Sequence, residues 1–256
     1  MDDHCLPSMM TSTMPRFLVR SAVARGDRVQ LDAPQAKHLR VRRLRQGDEV
    51  VLFDGAGHSY LASVDRISRH AVEVLIVERL RDRVAESPLD LILAVAVLKA
   101  DRLEWVIEKA TELGVHRLRP FVSQHSLARP SPARRKRWQE IALSAAKQSG
   151  RTVVPAVEAP VDFETILAEA TPRSLLFWER AGQSGDLAEL GGPPATITVI
   201  IGPEGGFADA EVEAARAAGS HIVGLGPRIL RAETAAIVAL TLCQSRWGDL
   251  GQQVLT

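Results

Sequence analysis

The stretch that decides the fold of this chain lies at residues 196–207 and reads T-I-T-V-I-I-G-P-E-G-G-F. Its first six residues are all β-branched, which is typical of a buried strand. A glycine loop follows at 202–206, and the amphipathic pattern behind Phe207 predicts a helix from about Asp209 to Ala218. In an open α/β sheet, such a loop beyond the carboxyl end of a strand is where ligands bind.

The glycine loop favours a nucleoside-like ligand that has no phosphate. No lysine follows the glycines, and their spacing matches neither a P-loop nor a dinucleotide-binding fingerprint. Pro203 has no N–H to donate, and Glu204 would repel a phosphate. A cationic nucleoside therefore fits this loop better, and a tight structural turn is the alternative.

A second loop reads L-G-P-R-I-L-R-A-E-T-A at residues 225–235 and follows another predicted strand at 222–225. Glu233 and Thr234 stand where the last helix is expected to start, so either can cap its first turn. Arg231 can equally pair with Glu233. The residues after Ala235 are apolar nearly all round, which predicts a helix buried within the chain or against a second subunit.

From residue 86 onward, predicted strands and helices alternate, which indicates a mostly parallel α/β sheet. The predicted strands are 89–97, 118–122, 174–178, 196–201 and 222–225, and the predicted helices are about 103–113, 134–148, 209–218 and the segment after Ala232.

Before residue 85 the pattern is that of a small β-rich, barrel-like domain. The predicted strands are 29–31, 49–53, 60–67 and 71–77, with a hairpin turn at Asp54-Gly55 and one short helix that starts at Pro34 behind an Asp32 cap. We therefore expect a disordered extension at 1–13, a β domain at 14–85 and an α/β domain at 86–256.

Composition excludes several classes of protein. The 256 residues include only two cysteines, which rules out a disulfide framework, and seven histidines without metal-ligand spacing, so we expect no metal. No apolar run approaches the roughly 20 residues that span a bilayer, and the acidic N-terminus does not resemble a secretory signal. These features predict a cytoplasmic protein with no membrane contact.

The charge is unevenly distributed, although the formal net charge is only +1. Residues 129–151 hold seven basic and one acidic side chain, whereas residues 155–220 hold three basic and eleven acidic ones. This asymmetry favours a polyanion footprint beside a site that does not bind polyanions, and solvated helix faces are the alternative.

The two loops resemble the C-terminal signature of the SPOUT methyltransferases, and more narrowly that of the RsmE family, which methylates N3 of one uridine in bacterial 16S ribosomal RNA. Three other stretches are similar to motifs of the same family: E-W-V-I-E-K-A-T-E-L-G at 104–114, A-L-S-A-A-K-Q-S-G-R at 142–151 and L-F-D-G at 52–55. The resemblance covers roughly residues 14 to 250, in the family's order.

This resemblance implies a fold, a cofactor and partners. The fold is an N-terminal PUA-like β-barrel followed by an α/β SPOUT domain with a deep trefoil knot, and the protein is a homodimer. The cofactor is S-adenosylmethionine, a phosphate-free nucleoside with a sulfonium cation, and the substrate is 16S ribosomal RNA, which we expect to be bound within the small ribosomal subunit. By position, the cofactor contacts are Leu176, Phe177, Ile201, Gly202, Glu204, Gly205, Leu225, Gly226, Leu230 and Thr234.

Transfer to N3 of uracil requires that the N3 proton is removed and that charge on the flanking oxygens is stabilised. Arg231 is our candidate for stabilising or orienting the base, and Glu233 is a candidate proton acceptor with helix capping as its alternative role. Basic residues are expected to contact RNA phosphates. They are Arg16, Arg20, Arg40, Arg42 and Arg43 in the β domain, and Arg134, Arg135, Lys136 and Arg137 at the start of the basic helix.

Two other functions stay open at this point. One is a SPOUT enzyme that methylates a ribose 2′-oxygen in tRNA or rRNA, but such enzymes carry a Ser-Leu-Asn turn where this chain has I-L-R-A-E-T at 229–234. The other is a non-catalytic RNA-binding factor of ribosome assembly, against which the intact cofactor loops count. Binding of S-adenosylmethionine discriminates between an enzyme and such a factor.

Overall fold

The computed structural model describes residues 14–19, 23–69, 71–80, 86–126, 131–169, 171, 173–181, 190–192 and 195–251. These residues form two compact units: the first takes residues up to Glu86 together with 146–154, and the second takes 87–145 and the residues from Pro155 on. The extension expected at 1–13 and the candidate Arg20 lie outside the described residues.

The first unit contains β1 (Arg16–Leu18), β2 (Arg28–Gln30), α1 (Ala33–Val41), β3 (Glu49–Phe53), β4 (Ser59–Ile67) and β5 (Val72–Leu80). Its strands form one sheet with the order β1-β3-β4-β5-β2, in which β1 and β3 are parallel and the other neighbouring strands are antiparallel. Register shifts along β4 and β5 increase the local twist of the sheet, which wraps around buried Phe17, Leu39 and Leu52. This confirms the small β-rich N-terminal fold expected from the sequence.

Helix α1 begins as its sequence predicts. The Asp32 side chain accepts a hydrogen bond of 2.9 Å from the Gln35 N–H, and Pro34 occupies the first turn, where its missing N–H costs nothing. Strand β1 was not predicted; it forms by pairing in parallel with the distant β3, a contact that no local pattern shows.

The segment 146–154 joins the first unit through a buried ion pair. Arg151 is 1% exposed, and its Nε and Nη2 atoms donate to Glu86 Oε2 at 2.9 and 2.7 Å. The other Glu86 oxygen accepts the backbone N–H groups of Thr152 and Val153 at 2.8 and 2.9 Å. One carboxylate therefore fixes three consecutive residues, an arrangement that a division of the sequence at residue 85 does not anticipate.

The second unit is an α/β layer structure. The elements that follow Glu86 are β6 (Asp90–Ala96), α2 (Ala100–Glu112), β7 (Arg117–Val122), α3 (Pro132–Ser149), β8 (Ala156–Val157), β9 (Val161–Asp162), α4 (Phe163–Ala168), β10 (Ser174–Phe177), β11 (Thr196–Ile201), α5 (Asp209–Ala217), β12 (His221–Val223) and α6 (Ala232–Trp247). The strands form a sheet with the order β12-β10-β11-β6-β7-β8, and β9 also pairs with β7. Every pair of neighbouring strands in this sheet is parallel, which confirms the predicted parallel sheet.

Both faces of this sheet are covered by helices. Alternate residues of a strand point to opposite faces, so Leu93 packs with side chains of α2 and α6, whereas Ala94 packs with side chains of α4 and α5. Among the described residues, no helix is long and apolar enough to cross a membrane.

Candidate functional site

A cavity of about 420 Å³ opens beyond the carboxyl ends of β10, β11 and β12. Its walls are the chain segments that leave these three strands, together with one arginine from α2. The lining residues are 177–179, 201–207, 225–226, 228–232, Ala235 and Arg102. The two loops singled out in the sequence therefore meet at one site, as expected for ligands of an open α/β sheet.

The glycines of the first loop are required by close packing. A Cβ atom on Gly202 would lie 2.9 Å from two ring carbons of Phe207, too close for any side chain. Gly206 has a φ of +73°, which other residues rarely adopt, and a Cβ there would lie 3.0 Å from Glu179 Oε1. The loop can follow this path only with glycine at both positions.

Three charged side chains meet next to the cavity: Arg102 and Glu204 line it, whereas the catalytic candidate Glu233 is not among its lining residues. Glu204 Oε1 accepts the Lys99 N–H at 3.1 Å and lies 3.5 Å from Nη1 of Arg102. The Arg102 Nε atom lies 3.8 Å from Oε1 of Glu233, whose other oxygen is buried without a hydrogen-bond partner. These contacts link the first loop, the start of α2 and the start of α6.

The second loop leads into α6 with Arg231 as the N-cap residue, and its carbonyl accepts the Ala235 N–H at 2.8 Å. The Arg231 side chain is exposed, lines the cavity and has no acidic partner among the described residues. The positive end of the helix dipole and a free guanidinium thus lie together, an arrangement that favours an anionic group.

Two sequence-based alternatives for Glu233 are wrong. Glu233 does not cap α6: it belongs to the first turn, and no side-chain cap bond is formed there. Its ion-pair partner is Arg102, not Arg231. Sequence distance favoured the neighbouring arginine, but the fold brings the start of α2 next to the start of α6.

The structure brings eight of the ten residues assigned to the cofactor onto the cavity wall. They are Phe177, Ile201, Gly202, Glu204, Gly205, Leu225, Gly226 and Leu230. Leu176 does not line the cavity, because it points to the opposite face of β10 from Phe177 and is buried in the core there. Thr234 is exposed outside the cavity, since Ala232 and Ala235 are the residues of that helical turn that face it.

Sequence analysis missed Arg102, Trp178, Glu179 and Arg228, all of which line the cavity. A usable signal existed for the first three. Trp178 and Glu179 directly follow β10, and Arg102 lies in the first turn of α2, the helix that follows β6. All three residues therefore lie beyond the carboxyl ends of parallel strands, where ligands bind. No side-chain cluster suited to a metal ion occurs within the described part of the chain.

The basic residues of the first unit that are candidates for RNA binding differ in exposure and in the hydrogen bonds that they already form. Arg16 is half-buried, its Nη2 donates to the Arg151 carbonyl at 3.1 Å, and burial lowers the pKa of its guanidinium. Arg40 is exposed but donates to the Ser68 carbonyl at 2.9 Å. Arg42 and Arg43 are exposed at the end of α1, and the Arg42 Nε atom donates to Nε2 of His38 at 3.3 Å. Arg43 is therefore the most available to an external phosphate, followed by Arg42.

The basic candidates of α3 lie in its first turns. Arg134, Lys136 and Arg137 are exposed, and Arg135 is partly so. The Arg137 Nε atom donates to Glu104 at 2.8 Å, and this hydrogen bond raises the pKa of the guanidinium. Arg134 and Lys136 have no acidic partner among the residues described, so more of their charge is available to a ligand.

Comparison with known proteins gives two family matches. The family model of an RNA methyltransferase domain matches residues 85–244, and that of an RNA methyltransferase PUA domain matches residues 31–77. The chain is also 34% identical over 211 residues to the ribosomal RNA small subunit methyltransferase E of Mesomycoplasma hyopneumoniae, which covers 80% of this chain and 89% of that protein.

Two solved structures are similar over nearly the whole chain. The ribosomal RNA small subunit methyltransferase E from Neisseria gonorrhoeae, bound to S-adenosyl methionine, has a TM-score of 0.88 at 33% identity and covers 93% of this chain and 99% of that one. A methyltransferase from Legionella pneumophila in complex with SAM has a TM-score of 0.86 at 32% identity, with coverage of 93% and 99%.

Proposed function

This chain belongs to the ribosomal RNA small subunit methyltransferase E family of RNA methyltransferases, and we propose that it transfers a methyl group from S-adenosylmethionine to N3 of a uridine in 16S ribosomal RNA. The observation that carries the proposal is that the loops at 202–206 and 225–231 line the same cavity. The expected deep trefoil knot, which would be tied by these loops, is part of the same proposal.

The residues at the cavity fit S-adenosylmethionine. A volume of about 420 Å³ lies within the roughly 300–1,000 Å³ of small-molecule sites. Phe177, Leu225 and Leu230 offer apolar surface for an adenine ring, and the loop backbones offer peptide groups for its nitrogens. The Glu204 carboxylate supplies negative charge for a sulfonium or an ammonium group.

The bound cofactor supplies a methyl group that is already activated on a positively charged sulfur. The protein must therefore hold the uracil ring in line with that methyl group and manage the charge that develops as the N3 proton leaves. We assign stabilisation of the anionic carbonyl oxygens to Arg231, whose free guanidinium lies at the positive end of α6.

Glu233 is the candidate acceptor for the N3 proton. Glu233 follows Ala232, which lines the cavity; its side chain is 16% exposed, and its Oε2 atom is buried without a hydrogen-bond partner. No helix-cap bond holds this carboxylate, so it can take the role of proton acceptor once its side chain turns toward the cavity.

RNA phosphates are proposed to bind Arg42 and Arg43 of the first unit and Arg134, Arg135 and Lys136 of α3. Phosphate contacts of this kind give affinity and salt dependence without sequence choice. The small ribosomal subunit as the actual substrate, and with it a cytoplasmic location, belong to this proposal.

The homodimer expected from the sequence is also proposed. Helices α2 and α6 pack against each other and each carries a large exposed apolar side chain: Trp105 is 43% exposed and Leu242 is 41% exposed. A second copy that covers these side chains would remove them from water. Light scattering of the purified protein measures this directly, and a monomeric mass would contradict it.

The test of the proposed function uses radiolabelled S-adenosylmethionine, the purified protein and small ribosomal subunits that lack the modification. The RNA is digested to nucleosides, and the labelled nucleoside is identified. Label in 3-methyluridine is the expected result. Label in a 2′-O-methyl nucleoside would contradict the N3 assignment, and failure to bind S-adenosylmethionine would favour a non-catalytic assembly factor.

A further inference from the structure

Two carboxylates from different segments share one arginine at the cavity. The Arg102 Nη1 atom lies 3.5 Å from Glu204, and its Nε atom lies 3.8 Å from Glu233. Both distances exceed the roughly 2.7–2.9 Å of a charge-assisted hydrogen bond. The Arg102 guanidinium therefore lies between the two carboxylates and forms a short, strong hydrogen bond with neither of them.

Glu233 depends on this arginine more than Glu204 does. Glu204 also accepts the Lys99 N–H at 3.1 Å, whereas the Oε2 atom of Glu233 is buried and accepts no hydrogen bond. Among the described residues, Arg102 is the cation within ion-pair distance of Glu233. Removing Arg102 would therefore leave the Glu233 carboxylate with no cation to orient it among the described residues.

We propose that Arg102 is a positioning residue for methyl transfer, which acts by holding Glu204 and Glu233 in place. Glu204 belongs to the loop after β11, and Glu233 to the first turn of the helix that begins behind Arg231. One side chain on α2 thus joins the two walls of the cavity. The inference rests on the proposed function, because it assigns to Arg102 the alignment of the uracil with the methyl donor.

The rival explanation is an ion pair that only stabilises the fold. The Arg102 side chain is 29% exposed and its contacts are long, and pairs of this kind contribute little to stability. Loss of a fold-stabilising pair lowers the melting temperature first. Loss of a positioning residue lowers turnover and cofactor affinity while the melting temperature stays the same.

Three variants separate the two explanations. Arg102→Met keeps the apolar stem without the charge, Arg102→Lys keeps a point charge that cannot span both carboxylates, and Arg216→Ala is the control. Arg216 is exposed on α5, its Nε atom lies 3.6 Å from Glu213, and it is not among the residues that line the cavity. For each variant, calorimetry gives the Kd for S-adenosylmethionine, methylation of small subunits gives kcat and KM, and scanning calorimetry gives Tm.

Arg102→Met is expected to raise the Kd for S-adenosylmethionine about tenfold, the effect of losing a hydrogen bond to a charged group. It is expected to lower kcat about 100-fold, as when reacting groups are misplaced by an ångström. Arg102→Lys should restore part of both losses, and KM for the RNA and the Tm should stay at the wild-type values in both variants. Arg216→Ala should match the wild type throughout.

A double-mutant cycle tests whether Arg102 acts through Glu233. In a Glu233→Gln background, Arg102→Met should have a much smaller effect, because the charge that it positions is gone. Full additivity of the two changes would overturn the proposal. So would an Arg102→Met variant with wild-type Kd and kcat, or one whose losses follow a lowered Tm. If the wild-type protein fails to bind S-adenosylmethionine, the proposed function falls as well; wild-type binding with an unaffected variant overturns this inference alone.

Discussion

Two arginine–glutamate clusters of this protein are built in opposite ways. In the first unit, Arg151 is 1% exposed and donates to Glu86 at 2.7 and 2.9 Å, while the second Glu86 oxygen accepts two backbone N–H groups. In the second unit, Arg102 lies 3.5 and 3.8 Å from its two glutamates, and one Glu233 oxygen has no partner. The first cluster is saturated and the second is not.

The difference indicates which cluster serves the fold and which serves a ligand. A buried charge is tolerated when all its hydrogen bonds are made, and such a cluster fixes the chain around it. Charged side chains beside a cavity that lack close hydrogen-bond partners can still interact with a ligand that binds there. On this basis Glu86 and Arg151 anchor the segment 146–154 to the first unit, whereas we propose that Arg102, Glu204 and Glu233 act on the ligand of the second.

The largest expected effect is on the saturated cluster. Glu86→Ala leaves the Arg151 guanidinium buried without its carboxylate and should lower the free energy of unfolding of the first unit by about 3–5 kcal/mol. Hydrogen exchange of the β3 and β4 amides measures this loss. Asp65→Ala is the matched control, since it removes an exposed partner of Arg28 in the same unit and should cost only about 0–1 kcal/mol. Equal losses in the two variants would contradict the comparison.

The second-largest effect is expected at the cavity of the second unit, where Arg231 has no acidic partner among the described residues. Arg231→Ala removes the free guanidinium at the start of α6 and should lower kcat about 100- to 1,000-fold, as for a lost oxyanion donor. Its Kd for S-adenosylmethionine and its Tm should stay at the wild-type values, because Arg231 has no partner among the described residues whose loss would disturb the fold. Arg216→Ala serves as the control, and a kcat within twofold of the wild type would remove Arg231 from the chemistry.

A smaller effect is expected where the cavity wall is tightly packed. The Cβ of Gly202→Ala would lie 2.9 Å from the Phe207 ring, so the loop must shift, at a cost of about 1–3 kcal/mol. The Kd for S-adenosylmethionine should rise by about tenfold or more. Gly192→Ala is the control, because nothing lies within 4 Å of a Cβ at that position. Equal Kd values for the two variants would show that the loop yields without disturbing the site.

The sequence was sufficient to predict most of the elements and the two loops of the cavity wall, but not β1, β8, β9 or α4. The strand at Thr196–Ile201 was predicted with its observed bounds, because its β-branched run ends in a glycine loop, and the helix behind Asp32 was predicted from its cap. Both signals are local. The loops that line the cavity were found for the same reason, since each directly follows a predicted strand.

The contacts that join distant segments could not be predicted. Arg102 and Glu233 are separated by 131 positions, and nothing in the pattern around either residue shows that the starts of α2 and α6 meet. The burial of the Arg151 side chain could not be predicted for a similar reason. Arg151 belongs to a strongly basic stretch of sequence, in which composition favours solvent-exposed side chains. Strand alternation would have excluded Leu176, because Phe177 next to it points to the opposite face.

The smallest effect is expected at an exposed pair, which extends the comparison to a third environment. Arg137 is 66% exposed and its charge is partly neutralised by Glu104, whereas the neighbouring Lys136 has no acidic partner among the described residues. Lys136→Ala should reduce the magnitude of the slope of log K against log salt concentration for RNA binding by about one, which corresponds to the loss of one phosphate contact. Arg137→Ala should change that slope less, and neither variant should alter Tm. If Arg137→Ala reduced the slope more than Lys136→Ala, Arg137 would have to leave Glu104 and bind an RNA phosphate. The exposed pair would then resemble the Arg102 cluster, because its arginine would also interact with a ligand.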